Sequence, residues 1–163
     1  MSTGFWSRDR NIMGGACALV GLATGAWLAL GSAGDGYWMF LIAAPLAAFA
    51  TAALCWWSLL ERPGIHSRKQ AAIAGALAGV AAHYPCWWLL MLGNYVFSFV
   101  STGTIDTSDA GPIGPLSAFW AAAVYSMFSL LFVGWVTAPA GAVIGALVAH
   151  WRLESTTRPS SEP

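Results

Sequence analysis

The sequence predicts an all-α integral membrane protein, a bundle of four transmembrane helices, and three observations predict it. The first is composition: of 163 residues, 58% are hydrophobic and 9% charged, against about a quarter charged in a typical soluble domain. The second is the grouping of apolar residues into four runs, about 12–30, 37–60, 71–100 and 116–151. Each is near or above the roughly 20 residues that cross a 30 Å hydrocarbon core, and lipid leaves a helix as the form that satisfies their backbones. The third is charge. Every Arg and Lys falls before the first run, between the second and third, or after the fourth. In a protein of four crossings those segments share one face, and the positive-inside rule then places both termini in the cytoplasm. A helix count of three or five would destroy this sorting. Residues 1–151 therefore read as one membrane domain of the plasma (inner) membrane, followed by a disordered cytoplasmic tail over 152–163, which is rich in Ser, Thr and Pro.

The first run, Ile12 to Leu30, follows a polar segment carrying Arg8 and Arg10. Its length of about 19 residues exceeds the 7–15 of a signal-peptide core, so an uncleaved span is expected, although Gly31 and Ala33 fit the small-residue rule for cleavage. Gly21 and Gly25 form a GxxxG, extended by Cys17 and Ala29; such stripes let a second helix backbone approach closely. After a turn at Gly31–Gly36 comes Tyr37 to Leu60, with Ala43, Ala47, Thr51 and Cys55 on one face. A kink is expected at Pro45, and Trp56 and Trp57 are expected at the interface opposite.

The segment ERPGIHSRKQ, residues 61–70, separates the second run from the third, AAIAGALAGVAAHYPCWWLLML from Ala71. Ala71, Gly75, Gly79 and His83 recur every four residues, so His83 is expected to face protein rather than lipid. Pro85 has no amide hydrogen and crowds the carbonyl of Ala81, which predicts a kink just past the histidine. The helix is expected to continue to Val100, before a turn-rich stretch holding Asp106 and Asp109. A calcium loop starting at Asp106 is disfavoured, because its twelfth position is Ser117 rather than Glu. The last run is too long for one straight crossing, and a kink is expected at Pro139. Its stripe is Thr137, Gly141, Gly145 and Ala149.

GALAGVAAHY from Gly75 is echoed by GAVIGALVAHW from Gly141. A duplicated two-helix unit would produce this, and so would composition alone in helices this rich in Ala and Gly. His150, beside Trp151 and Arg152, is expected to be solvated at the inner interface.

The chemistry implied is sparse. Cys17, Cys55 and Cys86 show no CxxC or zinc spacing and read as packing residues. The spans hold no carboxylate for proton-coupled exchange, and a single deep histidine does not suit a bis-histidine haem. HExxH, GxSxG and P-loop motifs are absent, as is any basic nucleic-acid tract. No metal, cofactor or nucleic-acid partner is expected, and an enzyme is the least favoured class. The leading expectation is a non-catalytic accessory, assembly or regulatory protein that packs, through its helix stripes, against itself or a membrane partner. The alternative is an oligomeric small-solute transporter or channel, with His83, Tyr84, Asn94, Tyr125 and Ser126 as pathway groups. A lipid- or quinone-modifying enzyme comes third, resting on Tyr84, Trp87 and Trp88 beside His83.

Overall fold

The computed structural model describes residues 7–31, 37–64, 67–102 and 113–157, and nearly all of these are helical. Four helical rods are each long and apolar enough to cross a membrane. The first is α1 (Arg8–Gly31). The second is a 3₁₀ turn (Tyr37–Met39), α2 (Phe40–Trp56) and a π turn (Trp57–Glu61). The third is α3 (Arg68–Ala81) and α4 (His83–Thr102), interrupted at Ala82. The fourth is α5 (Pro115–Ser129), a π turn (Leu130–Gly134) and α6 (Trp135–Thr157).

The three prolines all lie within helices. Helices α2 and α6 run on through Pro45 and Pro139, and the one interruption near Pro85 falls at Ala82, before the histidine rather than after it. In each case the proline lies within the first six residues of its helix, directly after an irregular turn. A proline ring clashes with the carbonyl four residues upstream. The carbonyls in question belong to Leu41, Ala81 and Trp135, each within two residues of the 3₁₀ turn, the break or the π turn.

Glycines set how closely the rods approach. A methyl group at Gly21 would lie 2.7 Å from the carbonyl oxygen of Ala44, and one at Gly25 would lie 2.6 Å from that of Phe40. The third and fourth rods are closer still. Methyl groups at Gly75 and Gly141 would each overlap the other's carbonyl oxygen, one at Gly79 would meet that of Thr137, and one at Gly145 that of Ala71. The two GxxxG sequences that resemble one another therefore pack against each other, antiparallel.

At one end all four rods share a core of Met13, Cys17, Ala52, Trp56, Leu60, Ala71, Ala74, Ala78, Val148 and Ala149. Trp56 belongs to this core at 1% exposure, rather than to an interface; Trp57, one helical position round, is exposed and has the Arg62 guanidinium 6.0 Å from its ring centre. Polar contacts tie the same end together. Ser7 accepts from the Arg10 amide (3.2 Å) as an N-cap and donates to Glu61, whose other oxygen lies 2.9 Å from the buried Arg10 guanidinium. Asp9 pairs with Arg152 at 3.1 Å, and Arg68 meets Nδ1 of His150 at 2.7 Å, so His150 is bonded rather than simply solvated. Anchored by Arg152, α6 stays helical to Thr157, so the tail expected to be disordered from residue 152 begins as helix. Residues 158–163 and the Asp106 and Asp109 stretch lie outside the described residues.

Towards the opposite end the rods part. Helix α5 packs chiefly on α4, through Met91, Ala118 and Ala122, while α1 meets the fourth rod through α6.

Two outcomes follow from this packing. Gly75→Val should destabilise the protein by about 1–3 kcal/mol or more, since the backbone has to move, whereas Gly15→Ala, with open space at its Cβ, should be neutral or slightly stabilising. Thermal unfolding in detergent checks both. In the same assay Glu61→Ala should cost more than Asp9→Ala, because Glu61 pairs with a buried guanidinium, whereas the Asp9 pair is partly solvated and its loss should cost no more than about 1 kcal/mol.

Candidate functional site

The site is built where the two irregular rods meet. The break at Ala82 frees His83 to point from the start of α4 towards the fourth rod, and its side chain is buried. Nδ1 lies 2.7 Å from Ser129 Oγ, and Nε2 lies 3.0 Å from Thr137 Oγ1. Ser129 immediately precedes the π turn Leu130–Gly134, and Thr137 follows it. One imidazole thus spans the wide turn of the neighbouring rod and fastens both its ends. A neutral imidazole carries one donor and one acceptor, and a hydroxyl serves as either, so both bonds form in either tautomer. Within the turn, the Trp135 indole donates to the carbonyl of Phe132 (2.8 Å), which supplies a partner to a backbone group there.

His83 lies on the wall of a half-open cleft between the two helix pairs, which with its open mouth takes in about 710 Å³. Cys17, Thr24 and Leu28 line it from α1, Phe40 and Ala44 from α2, Cys86 and Trp87 from α4, and Val133 and Gly141 from the fourth rod. Its lining carries no charged side chain. The Thr24 hydroxyl donates to its own helix, 3.0 Å from the carbonyls of both Val20 and Gly21. The cysteines are free thiols, and among the described residues no cluster of His, Cys, Asp or Glu has the makings of a metal site.

Of the five residues singled out from the sequence, His83 alone lines the cleft. Tyr84 turns towards α5, with its hydroxyl 3.4 Å from the Phe119 carbonyl and its ring edge-on to Phe119. Tyr125 stacks on Trp87 at 5.0 Å, on the outer side of that ring. The Ser126 hydroxyl is buried and donates back to the Ala123 carbonyl at 3.2 Å. Asn94 is half-buried, about 16 Å of helical rise beyond His83. No shared polar pathway joins the five. The glycines Gly21, Gly25, Gly75, Gly79, Gly141 and Gly145 sit at contacts inside the bundle, so these stripes are used up before any partner arrives.

Sequence reasoning missed Ser129 as a site residue and assigned Thr137 to a packing stripe. Thr137 does stand one turn before Gly141 on the stripe that faces Gly75 and Gly79, and that signal places it near His83. Ser129 had none, because the π turn shifts the helical phase between it and Thr137. Of the aromatic residues expected beside His83, Trp87 lines the cleft and meets Phe40 edge-on at 5.2 Å. Fold and site together define a class, a helical bundle whose four rods suit a membrane, with a neutral lateral cleft. Comparison with protein-family models, curated proteins and solved structures finds no match.

If His83 is a strut, its bonds should show coupling. His83→Leu should cost about 1–3 kcal/mol and Thr137→Val about 1 kcal/mol. Thr137→Val made in the His83→Leu background should cost close to nothing more. A double-mutant cycle on unfolding midpoints in detergent measures that interaction directly.

Proposed function

We propose that this chain is a multi-pass plasma-membrane protein with both termini in the cytoplasm, and that it acts by binding rather than turnover, as an accessory, assembly or regulatory component. The observation that carries the non-catalytic reading is the bonding of His83. With both ring nitrogens held by hydroxyls, the one imidazole in the cleft is a strut between rods, and no carboxylate or second histidine lines the cleft with it to form an acid–base pair. The membrane reading is supported by the outward faces, where Leu19, Trp27, Leu131, Phe132 and Met127 are exposed over areas that water would penalise. The orientation is supported by the gathering of Arg8, Arg10, Arg62, Arg68, Lys69 and Arg152 at the end tied together by ion pairs.

The glycine stripes are spent internally, so a partner or ligand is left with the outward apolar faces and the cleft. That distinguishes this reading from one in which GxxxG contacts recruit the partner.

Orientation is tested by replacing the three native cysteines and placing a single cysteine at Ser67. A membrane-impermeant maleimide should label it only after the cells are permeabilised; labelling of intact cells would overturn the orientation. For the accessory role, mild-detergent extraction with chemical crosslinking should capture a homo-oligomer or a membrane partner. A strictly monomeric chain with no companion protein would count against it.

A further inference from the structure

The geometry points to the lateral cleft as a binding site for one hydrocarbon chain of a membrane glycerolipid. This inference rests on the membrane reading above and specifies what the cleft holds.

The cleft's dimensions select its occupant. Its lining runs from Cys17 to Leu28 on α1 and from Ser129 to Ile144 on the fourth rod, which is about 16 and 22 Å of helical rise, parallel to the rods. Spread over the 16–22 Å of these two walls, the 710 Å³ it takes in with its open mouth sets an upper bound of about 45 Å² on its cross-section, whereas a helix of about 10–12 Å diameter needs some 80–110 Å². A partner helix does not fit, and a single extended chain does. The floor is made of small residues, among them Gly21, Ala44, Ala78 and Gly141, which leave a slot rather than a knobbed surface.

The chemistry agrees. No charged group lines the slot, and its polar groups are closed on one another: His83 with Ser129 and Thr137, and Thr24 with its own backbone. A trapped water needs two to four polar partners, and this wall has few to offer. A hydrocarbon makes no such demand and recovers the dispersion contacts that an unfilled slot forfeits. Helix α1 packs on the fourth rod chiefly through α6, and from this we place the mouth of the cleft between α1 and the part of that rod before α6. Exposed Trp27, Leu131 and Phe132 belong to the outward sides of those two rods, so in a bilayer the mouth opens onto lipid chains.

The test is native mass spectrometry of the full chain after purification in a mild detergent. The wild-type protein should retain one glycerolipid per chain through a delipidating wash. Thr24→Trp, which fills the slot, should lower that occupancy at least several-fold, whereas Leu19→Trp on the outward face of α1 should leave it unchanged. A measurement on the wild type alone guards against misfolding of the filled variant. In vesicles of phosphatidylethanolamine and phosphatidylglycerol doped with a phospholipid bearing an acyl-chain diazirine, photoadducts should concentrate on Val20, Thr24 and Val133 over Leu19, Trp27 and Phe132. Adducts confined to the outward residues, equal retention by both variants, or a bound species that is a polypeptide would overturn the proposal. Extraction of the protein by alkaline carbonate would overturn the membrane reading itself; an inserted protein with an unlabelled cleft overturns this inference alone.

Discussion

Contact between the backbones at Gly75 and Gly141 fixes the distance on which the rest of the structure depends. A side chain at either position would occupy the space of the other's carbonyl, so these two rods approach as closely as helices can. At that spacing the short side chains of the next turns come within reach: Gly79 sits on the Thr137 carbonyl, and the Thr137 hydroxyl meets His83. Had alanines occupied the glycine positions, the backbones would stand further apart and an imidazole would not bridge to two hydroxyls of the facing rod. Close approach of this kind holds helices together where the surroundings are as apolar as the helices themselves.

Irregular backbone is the second constraint, and in the third and fourth rods it falls at one level. The Ala82 break and the Leu130–Gly134 turn face each other across the third and fourth rods. Wide turns and prolines loosen the hydrogen-bond ladder, which is costly where water is absent. Here His83 fastens both ends of the turn and the Trp135 indole reaches a carbonyl inside it. The histidine therefore answers a demand created by the neighbouring rod's backbone. That accounts for an ionisable residue at this depth without assigning it a reaction.

Much of the fold was legible because its causes are local. Uninterrupted apolar length gave the four rods, and the four-residue spacing of Ala71, Gly75, Gly79 and His83 gave the packed face of the third. What stayed hidden depends on two rods at once. Nothing in the run around Leu130 announces a π turn, since the residues are ordinary helix formers; the turn becomes visible only as the segment between the two hydroxyls that His83 joins. Trp56 and Trp57 look alike in sequence, and only the placement of α2 beside α1 and α3 decides which ring is buried. A proline signals that strain must be relieved nearby, and the chain upstream settles where.

These constraints make the two ends of the bundle unequal. At one end the shared core around Met13 and Trp56, the glycine contacts and the Arg10–Glu61 pair tie all four rods together. Beyond His83, α4 and α5 hold to each other through Met91, Ala118 and Ala122, and reach the rest mainly where Leu90 packs on Met39 and Phe40. Displacing that pair would pivot on Ala82 and the π turn, where the ladder is already irregular, and would leave the glycine contacts intact. The bonds it would strain first are the two from His83. His83 therefore links the closely packed end of the third and fourth rods to the end where they part, on the wall of the cleft itself.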